Sequence, residues 1–442
     1  MHALPAIAIF DIGRTNKKQV LFDAQYRVLE EKNIQLPETT DEDGFPSEDL
    51  QLLATWVRES FAALKQRKDL ELKAVNVSAY GASFVHLSPE LRPLTPLYNY
   101  LKPFPAFLQE EFDRKYNNDG QLGMQTASPQ LGHLNSGMQL YWLKKQSPEI
   151  YRQIRYSLHL PQWLSFLLSG VCASELTSIG CHTRLWDFEK QDYHKWVIEE
   201  GLKEKFPIIL PGANVIERKD GIMAGVGLHD SSSALIPYLS VFNDPFVLLS
   251  TGTWSVSLNP FNHSSLTDQE LKQDCLCYLS LKGEPIKASR LYAGKEHELF
   301  TKKLADQFQC AEDYFLRLKV DSFLVEKWFQ SKDPGIAAAF ADPDKLSSYE
   351  EAYHVFMINL VRQQKKAINL VLEPGGIEQI FVDGGFSKNP FFMNLLALSF
   401  PEKKIFAASL AHASALGAAL CIHSSWNTGA IPAGLLSPVQ IS

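Results

Sequence analysis

The sequence has no long apolar run, no surplus of positive charge and no C-x-x-C pair, and each absence closes off a class of function. No stretch approaches the ~18 consecutive apolar residues of a membrane-spanning helix, so no membrane partner is expected. Lys and Arg number 43 against 50 Asp and Glu, a net charge of −7. That balance lacks the electrostatic footprint of a nucleic-acid binder. The six cysteines, Cys172, Cys181, Cys275, Cys277, Cys310 and Cys421, fall at no zinc or redox spacing and read as buried thiols of a reducing compartment. No basic leader or cleavage site precedes the apolar run over 6–10, so no secretory signal is expected and the location reads as cytoplasmic. An anionic ligand must then be held by backbone N–H groups, a few cations or a bound metal.

What the sequence does have is size and ordinary globular composition. Its 442 residues are 45% hydrophobic and 21% charged, more chain than one core usually organises. Two domains are expected, 1–240 and 241–442, divided near the polar segment 240–245.

Near the middle lies Gly225-Val226-Gly227-Leu228-His229-Asp230-Ser231-Ser232-Ser233-Ala234. Serines before an apolar run are favoured helix N-caps, which puts Asp230 at the mouth of a helix, where the dipole favours an ionised carboxylate. Such an Asp on a loose loop can accept a proton from a hydroxyl. The other reading of this stretch alone is that Asp230 only caps the helix.

Three strand-then-glycine turns surround that centre. Apolar runs over 6–10 and 20–22 flank Asp11-Ile12-Gly13-Arg14-Thr15-Asn16-Lys17-Lys18 and predict a hairpin. Backbone donors near Gly13, the side chains of Thr15 and Asn16 and three cations suit a polyphosphate, with Asp11 placed to hold Mg²⁺ through water. A strand over 246–250 runs into Thr251-Gly252-Thr253, and one over 380–382 into Asp383-Gly384-Gly385 and on to Asn389-Pro390. The similarity of Phe10-Asp11-Ile12-Gly13 to Val382-Asp383-Gly384-Gly385 reads as an internal repeat, two domains closing on one nucleotide. Helices are expected over 50–64, 349–372, 391–398 and 411–420. A loop and helix are expected over 290–304. His133, His159 and His182 read as structural.

Together these motifs resemble the FGGY carbohydrate kinases of the actin-like, ribonuclease-H-like ATPase superfamily. The resemblance spans nearly the whole chain and implies a two-domain α/β fold with an interdomain cleft. It further implies ATP and Mg²⁺ as cofactors and a small-molecule sugar as partner. By it, Asp230 would be the catalytic base and Asp11 the metal residue. Gly13, Arg14, Thr15 and Asn16 would form the first phosphate motif, Thr251, Gly252 and Thr253 the second, and Gly384, Gly385 and Asn389 the adenosine motif. Tyr80-Gly81-Ala82-Ser83-Phe84-Val85 is similar to rhamnulose kinases, and Thr15-Asn16 to fuculose kinases, pointing to a 6-deoxy-ketose. Departures occur at Arg14, where a small residue is usual, at Ser83, where an acidic one is, and at Tyr98-Asn99-Tyr100, which replaces a Trp/Asp segment. Ser83, Tyr98, Asn99 and His229 are the candidate sugar contacts. A pentulose kinase and a non-catalytic ATP-binding sensor are the alternatives, and a homodimer is the commonest default for assembly.

Overall fold

The computed structural model describes residues 3–329, 346–372, 375–408, 410 and 412–441. Strand β1 (Leu4–Ile12) turns at 13–16 into the antiparallel β2 (Lys17–Asp23), as the apolar runs lead one to expect. β3 (Val28–Ile34) extends the meander. The chain then forms α1 (Leu50–Lys65), which buries Leu53, Val57, Phe61 and Leu64 and is capped by Asp49 accepting from the N–H groups of Gln51 and Leu52. β4 (Leu70–Ala79) returns parallel to β1. Residues 6–10 are wholly buried, which explains why β1 is apolar without alternation.

After α2 (Leu160–Ser169) come β5 (Val215–Glu217), β6 (Met223–Gly225) and the two-residue β7 (Leu228–His229). The first sheet has the order β5-β6-β4-β1-β2-β3, with β7 paired to the end of β4. Between β6 and β7 the chain crosses α2 at Gly227, whose φ is +80° and whose added Cβ would lie 2.4 Å from Pro161 O. Only glycine fits there. Helix α3 (Asp230–Val241) follows at once. Its N-cap is His229, not a serine, because pairing with β4 keeps the backbone extended through His229. The three serines therefore lie inside the first turns.

The second half repeats the plan. β8 (Phe246–Thr251) and β9 (Ser255–Asn259) make a hairpin, joined by β10 (Cys275–Leu279) and β11 (Pro285–Leu291). Arg290 thus lies in a strand, not a loop, and α4 (Ala293–Phe308) begins after it. The long α5 (Tyr349–Leu372) precedes β12 (Gln379–Gly384), which runs parallel to β8. Then come α6 (Pro390–Ser399), β13 (Lys404–Ala408), α7 (Ala413–Cys421) and β14 (Val439–Ile441). The helix expected over 411–420 is α7, although Ala411 itself lies outside the described residues. The sheet order is β10-β11-β9-β8-β12-β13-β14.

The topology corrects the repeat read from sequence. The hairpin β1–β2 corresponds to β8–β9, since each opens its sheet and each first strand has a parallel neighbour, β4 or β12. Asp383 lies one residue before the end of β12, opposite Ser250 of β8, so its counterpart is Ser78 near the end of β4 and not Asp11. The match of Phe-Asp-x-Gly to Val-Asp-Gly-Gly joined non-equivalent strands.

One helix crosses between the halves. α7 buries Ala415, Leu416, Ala418 and Ala419 with Ile7, Ile9, Val20 and Phe22 of the first sheet. It also meets α3 so closely that a Cβ on Gly417 would stand 1.8 Å from Ser233 O. Among the described residues, no helix is long and apolar enough to cross a membrane.

Candidate active site

Register alone gathers three strand ends. Ile12 of β1 pairs with Ala79 of β4, and Ala79 with His229 of β7. Asp11 and Asp230 consequently share one end of the first sheet. Asp11 Oδ2 accepts a 2.9 Å hydrogen bond from Ser414 Oγ on α7. Burial pushes its carboxyl up to about 6, with the nearby charge of Asp230 adding to the effect and Ser414 and Lys18 opposing it. A half-buried carboxylate near a second one is a site that a cation would relieve. The residues present therefore fit a divalent ion.

Asp230 is also partly open, its side chain 35% exposed. Oδ1 accepts from its neighbour Ser231 N at 2.6 Å and Oγ at 3.3 Å. His229 Nε2 lies 3.4 Å from the same oxygen. Burial keeps the His229 imidazole below its ordinary range despite that carboxylate, so the ring is neutral. Its backbone N–H donates to Thr177 Oγ1 at 3.1 Å. Thr177 in turn donates through N and Oγ1 to Glu175 Oε2, which also accepts from Ser178 N. Burial pushes the Glu175 carboxyl up to about 7 against those bonds. Glu175 thus anchors the turn on which His229 and Asp230 rest.

In the first hairpin Gly13 N donates to Asn16 O at 2.9 Å, and Thr15 and Asn16 are exposed at the tip. The three cations are not equally free. Lys17 is buried, donating to Glu48 at 2.9 Å and to Arg14 O at 2.8 Å. Its role is to fasten the turn. The Arg14 guanidinium is paired with Glu38, on the side where its charge reaches Tyr80 and Tyr100.

The second hairpin exposes Gly252 and Thr253, while Gly252 N closes the turn on Trp254 O at 2.9 Å. Thr251 is occupied: its hydroxyl donates to Asp383 O and accepts from Phe386 N. It ties the hairpin to the turn after β12, so its hydroxyl is not free for a phosphate. Gly384 serves the same seam, since a Cβ there would fall 1.9 Å from Thr251 O.

Beside this seam opens a cavity of about 350 Å³ lined by Gly252, Gly294, Phe315, Gly385, Phe386 and Asn389, among others. A Cβ on Gly385 would meet nothing within 4 Å, so its bareness keeps the cavity open. Asn389 lines the wall, but its side chain caps α6 through Phe391 N and Phe392 N and donates to Tyr353 Oη. Glycine backbone beside apolar rings fits a flat heterocycle. Gly294, His297 and Phe315 escaped the sequence reading because nothing local distinguishes them; α4 brings the first two to the turn, and the short helical turn Tyr314–Arg317 brings Phe315.

Three of the candidate sugar contacts have other partners. Ser83 Oγ is buried and donates to Tyr98 O at 2.8 Å. Tyr98 is 1% exposed and its hydroxyl donates to Glu42. Asn99 donates to Pro46 O and accepts from Leu101 N. These bonds fold the segment so that Tyr100 is the residue turned to the cleft. Its hydroxyl is pushed up by burial and feels Arg14, Asp230, Tyr292 and Glu48. Sequence could not tell which tyrosine of the Tyr98-Asn99-Tyr100 segment faces inward. Only the internal partners of Tyr98 settle it.

Comparison with known proteins accords with this geometry. The profile described as the FGGY family of carbohydrate kinases, N-terminal domain, matches residues 6–231, and that described as carbohydrate kinase FGGY, C-terminal domain, matches 243–430. A rhamnulokinase of Halalkalibacterium halodurans is 27% identical over 205 residues, covering 42% of each chain. An L-fuculokinase of Salmonella typhi is 24% identical over 277 residues, covering 57% of this chain and 55% of that one. The alignments thus span about half the length of these curated relatives. The fold is similar to that of a carbohydrate kinase from Novosphingobium aromaticivorans, with TM-score 0.77, 20% identity and coverage of 99% and 94%. A ligand-bound xylulose kinase from Lactobacillus acidophilus gives TM-score 0.79 at 17% identity, covering 99% and 93%.

Proposed function

The chain belongs to the FGGY family of carbohydrate kinases, and on that premise we propose that it phosphorylates a primary hydroxyl of a ketose with ATP, the ketose being a 6-deoxy-ketohexose such as L-rhamnulose or L-fuculose. The observation that carries the reading is the pairing of two partly exposed carboxylates, Asp230 and Asp11, at adjoining strand ends. Residues 1–240 form the sugar lobe and 241–442 the nucleotide lobe.

In this reading Asp230 accepts the proton of the attacking hydroxyl. Neutral His229 holds the carboxylate from one side, and Tyr100 and Arg14 reach the sugar from the other. Asp11 would hold Mg²⁺, which when bound would supply positive charge against the transferring phosphoryl group. Thr15 and Asn16 offer donors from one hairpin tip and Thr253 from the other, while Gly13 and Gly252 close those turns with their own N–H groups. Gly385 leaves room for the adenine ring, and Phe386 and Phe315 flank it. The choice of a 6-deoxy sugar is supported by the two relatives named rhamnulokinase and L-fuculokinase and by the aromatic surroundings of Asp230.

The test is a panel of ketoses and polyols in a coupled ADP-release assay with MgATP. The expected result is the highest kcat/KM on L-rhamnulose or L-fuculose. A clear preference for xylulose or ribulose would reassign the sugar. ATP binding without ADP release on any of the panel would remove the kinase reading.

A further inference from the structure

Directly beneath Asp230 lie three side chains that the phosphoryl-transfer reading does not use together. Cys181, His182 and His229 are buried, and one ligand atom from each lies within 4.8 Å of the other two. The two imidazole rings are edge to face at 6.2 Å, and Tyr278 of β10 covers both, at 6.0 and 5.6 Å. A Cβ on Gly81 would collide with both the His229 ring and Cys181 Sγ, so the glycine leaves the two facing each other across a gap.

The two imidazoles are in the form that a metal ion takes, while burial holds the Cys181 thiol well above its ordinary value, so the thiol must give up its proton on binding. His182 Nδ1 faces Leu134 O at 3.2 Å. A neutral ring that donates there carries its lone pair on Nε2, the outer-sphere arrangement that orients metal-bound histidines. His229 is only 4% exposed, and its Nδ1 has no hydrogen-bond partner. Such an orphaned, buried nitrogen calls for an explanation. Burial keeps both rings neutral, the form that binds metal. Arg290, whose charge reaches His182, is paired with Asp274 at 2.7 Å and lies over the Trp254 ring.

We propose that Cys181 Sγ, His182 Nε2 and a ring nitrogen of His229 bind one Zn²⁺ or similar borderline-soft divalent ion, distinct from the Mg²⁺ site at Asp11. One thiolate and two imidazoles select zinc or cobalt over magnesium, which prefers oxygen. As the S–metal bond forms, the Cys181 thiol proton, now donated to Ser178 O, passes to water. Three protein ligands leave a fourth position open. The ion would pin the loop that carries Asp230.

The test is titration of the full chain, stripped of metal by chelation, with Co²⁺ alone; sugar and nucleotide are absent, so the outcome does not depend on kinase activity. The expected result is one Co²⁺ per chain with a thiolate-to-cobalt charge-transfer band, displaced by Zn²⁺. Cobalt at Asp11 would give no such band. Cys181→Ser should abolish the band, and His182→Gln should weaken binding at least ~10-fold, the lower limit for losing even an outer-sphere partner. Cys172→Ser, outside the cluster, should leave both unchanged. No band in the parent protein, or a band that survives Cys181→Ser, overturns the proposal. Should Cys181→Ser fail to fold, His182→Gln decides: unchanged affinity overturns the site.

Discussion

Ser414 Oγ donates to Asp11 Oδ2 across 2.9 Å, joining residues 403 positions apart in the chain. The bond favours the charged carboxylate and restrains a group that burial has pushed up to about 6. Ser414→Ala should raise that value further. On the proposed role of Asp11 in holding Mg²⁺, which needs the ionised carboxylate, the acid limb of the kcat/KM profile should move to higher pH. Activity should fall several-fold at pH 6.5 and hardly change at pH 8.5. An unshifted limb would separate Asp11 from the metal requirement.

The contact of α7 with α3 offers a second test. A Cβ on Gly417 meets Ser233 O, which is backbone and cannot swing aside. Gly417→Ala should therefore force the helices apart at a cost of about 1–3 kcal/mol. The melting temperature should fall. kcat should fall with it, because α3 begins at Asp230 and α7 carries Ser414. Gly434→Ala, where nothing lies within 4 Å, should do neither.

Glu175 makes a prediction about pH and stability. Its carboxyl titrates from an ordinary value of 4.5 up to about 7 in the folded protein, because of burial. The folded state then binds the extra proton, so this group's stabilising contribution is fully present below about pH 4.5 and is lost as pH rises through about 7. Glu175→Gln cannot titrate. Its melting temperature should decline less than that of the parent between pH 5 and pH 8. Parallel declines would show that Glu175 is already ionised in the folded chain.

Gly385 separates folding from nucleotide binding. A side chain there meets no atom within 4 Å, yet it would enter the 350 Å³ cavity. Gly385→Val should raise the KM for ATP at least ~10-fold, with little change in melting temperature or in the KM for sugar. An unchanged KM for ATP would move the adenine elsewhere.

Much of this arrangement was legible in the chain because it is local. Apolar runs on either side of Gly13 predict the first hairpin, the run before Gly252 predicts the opening strand of the second, and the spacing of Leu53, Val57 and Phe61 predicts α1. What escaped was set by distant partners. Thr251 reads as a phosphate ligand until β12 arrives beside it and uses its hydroxyl. Lys17 reads as a free cation until Glu48, 31 residues on, neutralises it. Ser83, Tyr98 and Asn99 look like sugar contacts until the loop folds on itself and leaves Tyr100 facing the cleft. The repeat was misread for a related reason. Two short motifs matched by letter, while strand order pairs the hairpins instead.

The central claim is that Asp230 takes a proton from the sugar hydroxyl, and Asp230→Asn tests it most directly. The substitution keeps size and the first turn of α3 while removing the base. Measured in the ADP-release assay with the best sugar of the panel, kcat should fall at least ~10²-fold, with the melting temperature and the KM for ATP near those of the parent. Turnover within a few-fold of the parent would contradict the account and leave Asp230 as a residue that only starts a helix.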